Sequence, residues 1–357
     1  MNLSIKKAAT VIFISIIALQ ACNDDFSING EWQDITMVYG LLNSSDTAQY
    51  IKINKAFMGE GDVYEMAQVS DSVQYNTILD VSLIEYKIID KSLPPYKPEN
   101  WERTTRESIK LERTNEIPKD EGVFANDKNY LYKTTESIYD GYKYILEIVN
   151  PETAKKVWSE TYMIHKLVVT NPKMSNLSKI SMNQEFKPYF TEWESAIYGK
   201  VYQVALRFYY YEIENYDTTK HSVIFYYNEQ TVNEVREPFE IGLKMKQKVG
   251  GVDFYQRVAN SINEKPGIVR IASKLDFIYY AGGSSYSTYL SVSKAGSNYG
   301  QSSTAYTNIK NGKGLFDCRF KYDKLTGKQL TNASIDSLHR GRYTKQLNFA
   351  IFTIDYE

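Results

Sequence analysis

The chain has 357 residues, enough for two domains of ordinary size. Its 42 basic and 43 acidic side chains leave a formal charge of −1, which provides no electrostatic grip on nucleic acid or anionic lipid. Only two cysteines accompany 31 tyrosines, so the chain is held by packing and is rich in a residue that favours strands and wet contact surfaces.

The first element is a leader. Lys6 and Lys7 precede a mostly apolar run from Ala8 to Leu19. That run is too short for a hydrocarbon core, which needs about 20 helical residues. It suits the h-region of a secretory signal peptide, here residues 1–21. The leader closes on Leu19-Gln20-Ala21-Cys22, which resembles a bacterial lipobox, with Gln20 departing from the usual small or apolar residue. In signals of that kind the Cys22 thiol receives a diacylglyceryl group and its freed amine a further acyl chain such as palmitate. The plainer alternative is a secreted protein with a chance cysteine near its cleavage site. Asp24 and Asp25 follow within a polar tether over 22–34. An acidic pair there is similar to the signal that sends Bacteroidetes lipoproteins to the exterior leaflet of the outer membrane; the alternative is a charged tether on the inward-facing leaflet.

From Met37 onwards the pattern has period two. "LIEYKIID" (83–90) and "YKYILEIVN" (142–150), the latter closed by Asn150-Pro151, read as strands. Strand number and spacing over 35–168 predict an immunoglobulin-like or transthyretin-like β-sandwich. A polar stretch over 166–192, interrupted by Pro172 and Pro188, reads as a seam. Beyond it, 190–357 reads as a second β-rich domain with one helix. "VYQVALRFYYYEI" places Tyr202, Val204, Leu206, Phe208 and Tyr210 on one side of a strand. "HSVIFYYN", "LDFIYYAGG" and "LNFAIFTIDY" are further strands, and "FEIGLKMK" predicts a half-buried one with Phe239, Ile241, Leu243 and Met245 inward. The one helix is expected in "GGVDFYQRVANSINEKPG", where Phe254, Tyr255, Val258 and Ile262 recur at helical spacing between glycines and Pro266. The mainly β class follows from the whole of this pattern.

The stretch 281–314 is rich in Gly, Ser, Tyr and Asn, the residue types of adaptable binding loops. It reads either as a binding surface carrying Tyr286, Tyr289, Tyr299 and Tyr306 or as a pair of surface hairpins. Alternation in "STYLSV" predicts Tyr289 outward and Leu290 inward.

Motifs for chemistry are missing. His165, His221 and His339 share no metal-ligand spacing, and no nucleophile elbow, phosphate loop, dinucleotide fingerprint or EF-hand occurs. No catalytic residue, metal site or cofactor is therefore assigned. Cys318, inside "FDCRFKY", reads as a small core residue. Asp-Ser or Asp-Thr followed by an apolar residue or Thr occurs at Asp46-Thr47-Ala48, Asp71-Ser72-Val73, Asp217-Thr218-Thr219 and Asp336-Ser337-Leu338. These resemble the O-glycosylation sequon of Bacteroidetes envelope proteins, with Thr47, Ser72, Thr218 and Ser337 as acceptors; ordinary turn chemistry is the alternative.

Five stretches resemble a family of uncharacterised Bacteroidetes outer-membrane lipoproteins, a domain-of-unknown-function group. They are "VYGLLNSSDTAQYIKINKAFMGEG" (38–61), "GVFANDKNYLYKT" (122–134), "YKYILEIVNPETAKKVWSETYMI" (142–164), "YGKVYQVALRFYYYE" (198–212) and "YTNIKNGKGLFDCRF" (306–320). The resemblance implies a surface lipoprotein, often encoded near TonB-dependent outer-membrane barrels, with no established reaction. Sequence and resemblance together lead to an expectation of a lipid-anchored, non-catalytic outer-membrane protein. It would bind a glycan, a peptide or a protein partner, as an accessory to a transporter or surface assembly. The rivals are an adhesion or scaffolding lipoprotein and, third, a glycoside hydrolase or peptidase.

Overall fold

The computed structural model describes residues 35–56, 67–90, 97–119, 122, 129–174, 179–182, 188–238, 240–299 and 306–353. The expected leader, Cys22, the acidic pair Asp24 and Asp25, the tether and Phe239 lie outside them. The protein is mainly β. Strands β1 (Ile35–Leu42), β2 (Gln49–Ala56), β3 (Asp80–Ile88), β4 (Trp101–Arg103), β5 (Ile109–Thr114), β6 (Leu131–Thr134), β7 (Lys143–Val149) and β8 (Lys156–Tyr162) make up the N-terminal half. A single helical turn, α1 (Ser70–Val73), sits among them. The alternation along β7 and β8 buries every second residue, as a strand with one dry face requires.

The C-terminal half holds β9 (Val168–Asn171), β10 (Phe190–Glu194), β11 (Val201–Glu214), β12 (Asp217–Tyr226), β13 (Gln230–Thr231), β14 (Lys244–Lys248), β15 (Val269–Gly282), β16 (Gly312–Gln329) and β17 (Phe349–Thr353). It carries three helices rather than the single expected one: α2 (Val252–Ser261), α3 (Ser284–Tyr299) and α4 (Asn332–Arg340). Tyr202, Val204, Leu206, Phe208 and Tyr210 on β11 are all buried, and Phe208 meets Phe254 of α2 edge-on at 5.8 Å. Among the described residues no helix is long and apolar enough to cross a membrane.

The two halves share one sheet. Its path runs β12-β11-β15-β16-β1-β2-β6-β5-β3-β7-β8, with β13, β17 and β4 attached to its members. Strand β16 is the joint. Its first residues pair in parallel with β1, from Thr36↔Gly312 to Leu42↔Cys318, and the remainder pairs antiparallel with β15. Gly314 makes the parallel pairing possible. Its φ is 112°, and a Cβ there would run into the Val38 carbonyl. The strands of 35–162 therefore do not close into a layer of their own, because the second neighbour of β1 comes from the other half. The path then curls until β8, its last strand, returns beside β16. The core is correspondingly continuous, running from Val38, Leu83 and Leu146 to Phe277 and Leu338.

A second sheet of β14-β10-β9 packs on the inner face, where Trp193 lies 5.8 Å from Tyr279. Here the structure corrects the expected strand over "FEIGLKMK". Strand β14 begins only at Lys244, while Ile241 is 87% and Leu243 50% exposed. The segment docks through its backbone instead: Leu243 N–H donates to Ser195 Oγ at 2.9 Å, and Ser195 N–H donates to the Leu243 carbonyl at 2.9 Å. Ladder-like contact on that side leaves Ile241 and Leu243 facing water.

Candidate functional site

The return of β8 to β16 leaves a seam, and the seam follows from backbone register. Leu146↔Ser159 and Tyr144↔Thr161 are partners across β7 and β8, and Met163 N–H donates to the Tyr142 carbonyl at 2.7 Å. Odd-numbered residues of β8 thus turn their backbone groups toward β7. Even-numbered ones turn theirs away, since the two directions alternate along an antiparallel pair. Trp158 exchanges both backbone hydrogen bonds with Lys310, at 3.2 and 2.8 Å. The pairing stops at this isolated bridge.

Beyond the bridge the two segments are joined by side chains. The Ser159 hydroxyl donates to the Asn308 carbonyl at 2.9 Å. Asn308 is itself tied to Phe316, donating from Nδ2 to its carbonyl at 2.6 Å and accepting from its N–H at 3.0 Å. The Cys318 thiol donates to the Tyr162 carbonyl at 3.0 Å. Between these ties opens a cleft of about 440 Å³. Trp158, Glu160 and Tyr162 line one side, Tyr306, Thr307 and Asn308 another, and Gly283, Ser284 and Ser285 a third, with Asp317 between them.

Asp317 is a buried carboxylate on β16 with three donors. The Thr161 hydroxyl reaches Oδ1 at 2.8 Å, Cys318 N–H reaches Oδ1 at 2.8 Å, and Tyr286 N–H reaches Oδ2 at 2.6 Å. The last bond supplies what the α3 sequence lacks. A helix leaves its first N–H groups unpaired, and a side chain at the N-cap usually takes one. The residue before α3 is Gly283, and a Cβ there would run into the Asp317 carboxylate. Asp317 therefore caps α3 from a different strand. Burial pushes its carboxyl above the usual carboxylate range, and the three hydrogen bonds pull it partly back.

The aromatic wall is fixed in the same way. Tyr162 packs edge-on against Trp101 at 5.3 Å and tilted on Tyr198 at 5.6 Å. Lys143 lies 5.5 Å from the Tyr162 ring centre and pairs with Glu160 at 2.8 Å. Burial, then Glu160, pushes the Tyr162 hydroxyl up to about 12, and burial also raises Tyr198. Both phenols therefore remain protonated donors. Tyr306 and Ser285 share a hydroxyl–hydroxyl bond at 3.1 Å across the cleft mouth. The result is a set of rings, hydroxyls and amides whose two carboxylates are already engaged.

The four tyrosines expected to form one surface are separated. Tyr306 lines the cleft. Tyr286 lies with Leu290 in an adjoining hollow of about 200 Å³ beside Tyr280 and Arg319. Tyr289 is half-buried near Tyr39, whose hydroxyl is raised by burial and by Tyr289. Tyr299 ends α3. The alternation expected in "STYLSV" is replaced by helical geometry, so Tyr289 and Leu290 are successive positions on a helix rather than opposite faces of a strand. The hydroxyls of Thr288 and Ser291 bond to carbonyls four residues earlier, at 3.0 Å each, so within the helix these polar side chains find partners on their own backbone.

The four possible acceptor hydroxyls lie apart. Thr47 is exposed in the turn after β1, Ser72 sits in α1, and Thr218 is exposed near the start of β12. Ser337 is half-buried within α4 and donates to the Ala333 carbonyl at 2.9 Å. Cys318 is wholly buried, and burial raises its thiol well above the ordinary value. His339 contacts the Phe349 carbonyl at 2.6 Å, and His221 stacks on Tyr210 at 5.5 Å. Among the described residues no three or more His, Cys, Asp or Glu are grouped to hold a metal ion. Sequence reasoning missed Trp158, Glu160, Tyr162 and Asp317. The available signal was Asp317 itself, a charged residue inside the apolar "GLFDCRF".

No protein-family model and no curated protein matches the sequence. Among solved structures, the C-terminal globular domain of an oligosaccharyltransferase from Pyrococcus abyssi aligns with 67% of this chain at 12% identity and a TM-score of 0.20. The chain spans 45% of that domain.

Proposed function

We propose that this protein is a lipid-anchored component of the outer membrane, facing the cell exterior, and that it binds a ligand or partner in the cleft along β8. The role fits an accessory to a transporter such as a TonB-dependent barrel, or to a surface assembly, without catalysis of its own. The anchor rests on Leu19-Gln20-Ala21-Cys22 at the end of a short apolar run, and the exterior address on Asp24 and Asp25. The binding role rests on one observation: a cleft where a strand pairing stops, walled by half-buried Trp158, Tyr162 and Tyr306. A non-catalytic role is favoured because Glu160 is paired with Lys143 and Asp317 is committed to capping α3. Thr47 and Thr218 are the acceptor hydroxyls best exposed for glycosylation.

A photo-crosslinking residue in place of Tyr306 tests the binding role in intact cells. Specific crosslinks from this position, absent when the same residue replaces the fully exposed Tyr216, are expected. The same pattern from both positions overturns the cleft as the binding site. Metabolic labelling with a clickable fatty acid tests the anchor, and label retained by Cys22→Ala would end it.

A further inference from the structure

We infer that the β8 cleft takes a neutral saccharide of one or two rings, an inference that rests on reading this cleft as the binding site. Three observations narrow the class. The first is the backbone. A peptide that adds to a sheet edge is held by a run of main-chain hydrogen bonds. Here the bonds of Trp158 are taken by Lys310, and the Tyr162 carbonyl accepts from Cys318. Of the outward-turned backbone groups, those of Glu160 and the N–H of Tyr162 remain, too few to hold a ladder.

The second is charge. Glu160 is paired with Lys143, and Asp317 has three donors, so neither is set to meet a cationic ligand. The remaining charge of the lining, Lys310, is exposed to solvent, where screening leaves it a weak hold on an anion. The third is the mixture that is left. Half-buried rings of Trp158, Tyr162 and Tyr306 share the lining with the hydroxyls of Ser284, Ser285 and Thr307. A pyranose presents an apolar face of C–H groups and a rim of hydroxyls that both donate and accept. Aromatic side chains with a polar tip match both at once. A volume of about 440 Å³ falls at the small end of ligand sites, which run ~300–1,000 Å³.

An array of neutral and anionic glycans, probed with the purified mature protein beside a pool of uncharged and charged peptides, tests this. Neutral glycans are expected to bind, and Trp158→Ala and Tyr306→Ala are each expected to weaken the best of them at least tenfold with an unchanged unfolding temperature. Peptide binding lost in these variants, without glycan binding, overturns the saccharide and leaves the cleft reading standing. Preference for anionic glycans also overturns it. Neutral glycan binding that both variants retain places the sugar elsewhere and overturns it. Binding to nothing on the array or in the pool overturns the inference and the cleft reading together.

Discussion

Helices α2 and α3 are fixed to the same body by different means. Helix α2 buries Phe254, Tyr255 and Val258, and Phe254 meets Phe208, Phe225 and Tyr255 at 5.2–6.2 Å. Helix α3 is longer, at 16 residues, yet among its described side chains only Ser287 is fully buried. It is held at its first turn by Asp317, and the hydroxyls of Thr288 and Ser291 bond only within the helix itself. An apolar stripe anchors a helix everywhere along one face, whereas a capping carboxylate anchors it at one end. Helix α3 should accordingly open more easily than α2 and be more sensitive to a change outside its own sequence.

The largest break in this contrast comes from Phe254→Ala, which should cost about 3–5 kcal/mol of global stability in a denaturant titration, as large-to-small core changes do. A loss under 1 kcal/mol would show that α2 is not held by its stripe. Asp317→Ala should cost about 3 kcal/mol, because three donors lose their acceptor and buried unpaired groups cost about 1–3 kcal/mol each. It should also raise amide exchange over 284–294 while leaving 252–261 protected, and equal exchange in the two helices would refute the one-ended anchor.

The titration of Asp317 sharpens the same point. Its carboxyl is held above the usual carboxylate value by burial. The folded state therefore binds this proton more tightly than the unfolded state does. The stabilisation is complete below the ordinary carboxylate value near ~4 and is lost as pH rises through the raised folded value. Asp317→Asn should remove that fall, so unfolding midpoints of variant and wild type should converge or cross as pH increases. Parallel profiles would contradict it. The smallest effect belongs to Tyr289→Ala, which should alter stability by about 0.5 kcal/mol or less. A loss of several kcal/mol in thermal unfolding would make Tyr289 a packing residue and α3 a helix of the first kind.

These differences explain what sequence reading reached. Strand β11 and helix α2 are legible because their burial is periodic: every second residue from Tyr202 to Tyr210, and Phe254, Tyr255, Val258 and Ile262 at helical spacing. Helix α3 is illegible because its cap is supplied from another strand, and its Ser, Gly and Tyr composition suits loops as well as any helix. The exposed Ile241 and Leu243 mislead for a related reason, since their segment is placed by Ser195 and not by the side chains that alternate. Composition points to Tyr306, which lines the cleft. Trp158, Glu160 and Tyr162 acquire their place only from where the pairing with Lys310 stops, which no local pattern encodes.

The parallel pairing of β1 with β16 has a consequence for the order of assembly. The chain is made from its N-terminus, so Ile35–Leu42 exists long before Gly312–Cys318 can reach it. Until then β1 presents an unpaired edge, the kind of surface that recruits strands from other chains. Contacts so distant along the chain also close slowly, because the loop entropy between them is lost before any pairing is gained. A nascent or truncated chain ending before residue 312 should thus be a sticky half-sheet, and production of the intact protein should depend on whatever shields β1 while the rest of the polypeptide arrives.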